Sequence, residues 1–529
     1  MQRNGMLAAA MGALAIVAGG IYPCVAAAEG ISSEKLRALV DQLIKELPAG
    51  VTASYASIED GAIKGVAVHW TSADGALDYT VDEIDLVNPN LDFAKAWSDA
   101  LADAGHLTKD TAIPFYDGAT LRGVTMHLAA KQAGDAMDMT GSIGSMTSQG
   151  VRLYPWALSQ PGVPSLADLG ALLANPPSSP SLDDAMPSIR FAAAGCLAAA
   201  YDGGSAEDMK YTIKIPTMPG TDAPQEIIYE IKKVAAGGVD RCVFGGFSGD
   251  GISFDMGSAG AAKIGHVGYG LMDLRQAASK VLVGPTPTPD MLDGTRIDKI
   301  EYADVEVQPP SQPPVKIGNV SISGIAFSGA VPVSGAFSLK GVQISKDALS
   351  DPEAQEALDQ LGLDQVTISL GAAYAWDLAQ KRIQLHDVVV KVDELGALNL
   401  SIDVAEITPD MAGAMGAQLA HAKLIYSDAS FADRAIKAAA TMQQQDPAAF
   451  RQQLTAMIPL MSAQFTSDSP PLAAAAQAVI DFLGAPSSLT VELSPPKALP
   501  IMQLSALAGG GVPPGQIATM LGLAVTANK

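Results

Sequence analysis

The sequence predicts an α+β fold: long antiparallel β-meanders with N-terminal helices and a helix-rich C-terminal region. Three observations carry this. Apolar residues alternate at period two through residues 366–404, a Gly-led apolar motif recurs along the first two thirds of the chain, and Ala-, Gln- and Met-rich helical spacing follows Pro409.

The elements follow in order. Arg3 precedes an uncharged run from Met6 to Ala28 that ends in Ala26-Ala27-Ala28, the pattern of a secretory leader with cleavage expected between Ala28 and Glu29. An uncleaved anchor is the alternative, because the run is long enough to span a bilayer. Ser32 or Ser33 opens a helix to about Leu47, with Leu36, Leu39, Val40, Leu43 and Ile44 on one face. Extended segments are expected from Val51 to Val87, then a helix from Asp92 to Ala104.

The recurrent motif is an apolar residue, six positions, then Gly followed by apolar-x-apolar. It places Gly65, Gly123, Gly150, Gly251 and Gly324 ahead of alternating residues. The motif is read as one strand ending, a bend that Gly relieves, and a new strand. Strands are also expected at Lys210–Ile215 and Glu226–Val234, and Pro-rich joints at 174–181, 285–289 and 309–314. After Pro409, helices are expected over 411–422, 431–445, 447–461 and 471–483, with a strand over 487–493. The expected division is 1–28 leader, 29–165 α+β unit, 166–290 and 291–408 β-meander units, and 409–529 helical region.

The 529 residues carry a formal charge of −23, with 17% charged and 48% hydrophobic residues. Disorder over most of the length is excluded, and so acidic a surface disfavours nucleic acid and anionic headgroups. Past the leader, no stretch reads as a second membrane helix, so the mature chain is expected in the periplasm or otherwise exported, with the leader as its one candidate anchor. Export leaves Cys196 and Cys242, which either pair as a disulfide or lie as two buried thiols.

Chemistry is sparse. None of the six His has another three or four positions away, so no metal site and no cofactor is expected. Gly246-Phe247-Ser248-Gly249-Asp250 departs from a nucleophile elbow at its last position, and the same stretch is a weak glycine-rich calcium turn with Asp250 and Asp255. No catalytic residue is assigned. The expected role is a non-enzymatic cell-envelope protein whose sheet groove takes lipid or another apolar ligand, with other envelope proteins as further partners. The alternatives are a purely structural protein and a periplasmic hydrolase using Ser248, His266 and Asp255.

Val87-Asn88-Pro89-Asn90-Leu91-Asp92-Phe93 and the 366–404 block, with the leader and the Gly-led units, resemble the AsmA-like/YdgA-like bacterial envelope proteins. The resemblance implies an elongated periplasmic β-structure tied to envelope integrity and phospholipid movement. It carries over no catalytic residue.

Overall fold

A computed structural model describes residues 33–528 apart from 46, 48–49, 60, 73–74, 91, 133–134, 165–181, 216–224, 285–289, 311 and 509–510. The leader, its Ala28–Glu29 cleavage position, the 285–289 joint and the 174–181 joint lie outside those residues. The fold is α+β, with 24 strands among the described residues and antiparallel pairing throughout the described registers. The chain forms two compact units, residues 1–300 with 328–330, and residues 301–327 with 331–529.

In the first unit, the helix Ser33–Lys45 buries Leu36 and Val40 against Ile58, Ile63, Val66, Val81 and Leu121. Its apolar spacing gives it one face to hide, and a sheet face is what hides it. Eight strands then pair in succession: Ala62–Ser72, Gly75–Val87, Ile113–Gln132, Asp135–Leu153, Gly203–Ile215, Gln225–Ala236, Phe247–Asp255 and Ala261–Tyr269. The helix Phe93–Ala102 rests on this sheet through Phe93, whose ring centroid lies 4.7 Å from that of Phe115.

All five motif glycines adopt left-handed φ, between 58° and 63°. They do not separate strands, however. Gly65, Gly123, Gly150, Gly251 and Gly324 each lie inside one continuous strand. The reason is visible in the ladders. Lys64 pairs with Glu83 and Val66 with Val81, so the pair Gly65 and Asp82 is skipped without a change of register. The same skip recurs at Asp82 and Gly123, Gly123 and Gly144, Gly144 and Asp208, Asp208 and Lys232, Lys232 and Gly251, and Gly251 and Gly265. Each strand spends one extra residue at the same height, and the neighbour spends one too. Buried positions therefore stand three apart there, as Ile63 and Val66, Val81 and Ile84, and Leu121 and Val124 do, instead of the usual two.

In the second unit, Val331–Ser345 pairs with Gln365–Asp377, which pairs with Arg382–Val392, then Gly396–Ala405, Gln418–Asp428, Ser488–Leu493 and Leu523–Ala527. The helix Pro352–Leu361 is bounded as its sequence dictates. Asp351 accepts from Glu353 N at 3.0 Å, Pro352 opens the first turn, and Gly362 closes it at φ 69°. The helix expected over 411–422 is corrected. Only Met411–Gly416 is helical, and Gln418–Asp428 is a strand hydrogen-bonded on both sides, so two sheet neighbours outweigh the helix propensity of Ala417, Ala420 and Ala422. Helices Phe431–Met442, Pro447–Thr466 and Pro470–Gly484 come between Gln418–Asp428 and Ser488–Leu493.

Candidate apolar sheet face and its latch

The skipped pairs and the alternation together sort the first unit's sheet into two unlike faces. Immediately beside the skip, one cross-strand row reads Val66, Val81, Val124, Ile143, Met209, Ile231, Ile252 and Ile264. The next row on that face reads Val68, Tyr79, Met126, Gly141, Tyr211, Tyr229, Phe254 and Ala262. A third reads Trp70, Leu77, Leu128, Met139, Ile213 and Ile227. No charged side chain enters these three rows. At about 4.8 Å per strand, the first two rows, on eight strands, are roughly 33 Å long and the third, on six, roughly 24 Å.

On the opposite face, the row adjoining the skip is Lys64, Glu83, Arg122, Ser145, Glu207, Lys233, Asp250 and His266. Charges of opposite sign meet within it: Arg122 with Glu83, Lys233 Nζ 2.9 Å from Glu207 Oε1, and His266 Nδ1 2.7 Å from Asp250 Oδ1. Such exposed pairs fix register more than they add stability.

The middle apolar row concentrates rings. Tyr229 stacks on Phe254 with centroids 4.7 Å apart and on Tyr211 at 6.1 Å. Gly141 sits under this row, where a β-carbon would lie 2.7 Å from the Tyr211 ring and 2.8 Å from Met126 Cγ. The absent side chain is the space those two occupy. Burial holds the Tyr79, Tyr211 and Tyr229 hydroxyls above the ordinary phenol range, so all three stay neutral. Tyr211, Tyr229 and Phe254 remain partly exposed, whereas Val81, Val124 and Leu77 are buried.

A second constellation lies beside this sheet. The structure brings Cys196, at the end of the helix Leu182–Leu197, to Cys242, with Cα atoms 5.2 Å apart and the sulfurs in bonding contact. That separation lies within the span a disulfide needs. Cys242 is wholly buried among Ala157, Ala194, Leu197, Ala198 and Leu282. Arg241 and Cys242 form a two-residue hairpin loop between Val239–Asp240 and Val243–Phe244, with φ of 48° and 68°. Loops of this shape favour Asn-Gly, so a side chain at both positions is strained and must be held from outside. Arg241 is held by Asp240 at 3.0 Å, by Asp110 at 2.7 Å and by the Tyr154 ring at 4.8 Å, and Arg275 adds a 2.8 Å pair to Asp240. Although partial burial opposes it, the two guanidiniums hold the Asp240 carboxyl below the usual range.

The residues proposed for hydrolysis are not assembled as a triad. Ser248 pairs with Gly268 and Asp250 with His266, so the carboxylate beside His266 is Asp250. Asp255 lies at the strand end, where its carboxylate accepts from Gly257 N at 2.8 Å. Among the described residues, no group of three or more His, Cys, Asp or Glu side chains is placed to hold a metal ion. No described helix is long and apolar enough to cross a membrane.

The apolar rows were not legible as rows in the sequence. Their members lie up to about 200 residues apart, and only the strand registers join them. The local trace that was available is the recurring Gly followed by apolar-x-apolar, which supplies the members of the first two rows on three strands: Val66 and Val68, Val124 and Met126, and Ile252 and Phe254. A family model described as an uncharacterized protein matches residues 389–528. No curated protein and no solved structure matches the chain.

Proposed function

We propose that this chain is an exported, non-enzymatic envelope protein that binds the acyl chain of a lipid along the apolar face of its first unit. One observation carries the reading: three adjacent cross-strand rows without a charge, the middle one bearing the partly exposed, stacked Tyr211, Tyr229 and Phe254. An elongated apolar strip favours an elongated apolar ligand, and the charged opposite face keeps the sheet in water. The Cys196–Cys242 approach and the leader-like N-terminus support export to an oxidising compartment. The resemblance of the 366–404 block to AsmA-like/YdgA-like chains supports an envelope setting, and the helices after residue 409 form the rest of that proposed architecture.

Native mass spectrometry of the purified chain tests the reading. Bound lipid is expected, and delipidated protein should take up a fluorescent fatty acid. Ile227→Glu places a carboxylate on the third row and should abolish uptake while leaving the circular dichroism spectrum unchanged. Protein that carries no lipid and takes up none overturns the proposal.

A further inference from the structure

The helix Pro447–Thr466 bears one apolar stripe that is covered over half its length. Phe450 is buried, and with Leu454 it packs among Ile436, Ala439, Ala440 and Leu483 of the two flanking helices. The stripe continues at helical spacing through Met457, Leu460, Met461 and Phe465, yet these are 42%, 80%, 68% and 46% exposed. At about 100° per residue, the uncovered part spans an arc of roughly 140°, interrupted by Gln464 alone. A seam for one partner helix is narrower than this.

Charge narrows the occupant further. In a chain of formal charge −23, residues 447–467 contain no carboxylate, and their one cation, Arg451, is paired with Asp433. A second copy would bring its own −23 against this face, and an anionic membrane would repel it. An uncharged apolar surface meets no such opposition. We infer that Met457, Leu460, Met461 and Phe465 seat this helix in the interfacial layer of a neutral lipid bilayer. The helix lies in the plane of the interface, its stripe among the upper acyl carbons and its half-buried side, with Thr455 and Ser462, turned away from the lipid.

Hydrogen exchange resolved by peptide, on the full chain, tests this independently of the leader and of the sheet face in the first unit. With vesicles of phosphatidylcholine alone, peptides covering 453–465 should exchange at least fivefold more slowly, and less protection is expected when phosphatidylglycerol is mixed in. Leu460→Asp with Met461→Gln should remove the protection, and both side chains are exposed enough that folding is unaffected. Three outcomes overturn the inference: no protection on phosphatidylcholine vesicles, protection that survives the double substitution, or protection that appears without vesicles as protein concentration rises. The last would assign the face to self-association. Because Ile227→Glu leaves this helix untouched, loss of fatty-acid uptake with retained vesicle protection separates the two proposals.

Discussion

Gly123 stands at φ 59° opposite Asp82, and a β-carbon on Gly123 would run into the Asp82 carboxylate. The close approach is the local form of the skipped pair that crosses the sheet.

Gly123→Ala should destabilise the first unit by about 2 kcal/mol, since the left-handed backbone penalises any side chain and Asp82 must also move. Gly324→Ala has the same backbone, φ 63°, but nothing within 4 Å of the added carbon, and should cost about 1 kcal/mol. Denaturant unfolding of both variants checks the difference. Adding Asp82→Ala to Gly123→Ala should return the excess; if it does not, the collision is not what makes Gly123 costly.

Reduction of a Cys196–Cys242 bond should lower stability by about 4 kcal/mol, the chain-entropy value for a sequence separation of 46. Thermal unfolding with and without reductant measures it, and thiol counting by mass spectrometry verifies the bond. Equal midpoints for the oxidised chain and Cys196→Ser would show that the latch contributes nothing.

Asp403 and Arg382 predict an acid response in the second unit. The bidentate Arg382 guanidinium, with Nε donating to Oδ1 at 2.6 Å, holds the Asp403 carboxyl below its usual range. A carboxyl lowered by folding stabilises above its unfolded value of about 3.9 and loses that contribution as pH falls through the folded value. Asp403→Asn should therefore cost about 1 kcal/mol at pH 7, modest because the guanidinium is half exposed, and progressively less as pH falls through the folded value. Melting temperatures of both proteins from pH 2 to pH 7 should converge toward the acid end.

Asp446 caps the helix whose stripe is half uncovered, accepting from Ala448 N and Ala449 N at 3.0 Å each. Asp446→Ala should destabilise the second unit by about 1 kcal/mol. Equilibrium denaturation reads this directly, and Asp446→Ser should recover most of the loss.

What the sequence discloses follows from how local each signal is. The alternation of Val366, Ile368 and Leu370 and of Leu398, Leu400 and Ile402 is a property of single strands, and strands stand there. The helix Pro352–Leu361 is not among the expected elements, although Asp351-Pro352 and Gly362 bracket it with caps that act within a few residues. The motif glycines announce left-handed backbone, but whether such a residue ends a strand or sits inside one depends on its neighbours. Gly123 is kept within its strand by partners on both sides. Tyr79 and Tyr211 share a row only through two intervening strands, so an aromatic content of 5% concealed a local cluster of rings. The Ala-rich segment 417–422 misleads for the converse reason, since its fate is decided by Gly396–Ala405 and Ser488–Leu493.

The row of skipped pairs behaves as a dislocation does in a crystal: having entered the sheet, it cannot stop between two strands and must run out at an edge. A strand that omitted its extra residue would present one half correctly and the other half inside out, with polar and charged side chains where apolar ones belong. Deleting Gly123 would do this to Ile113–Gln132 alone, so a missing residue there is graver than a wrong one. The eight strands are bound to a common count, and length at that height is inherited by the sheet as a whole.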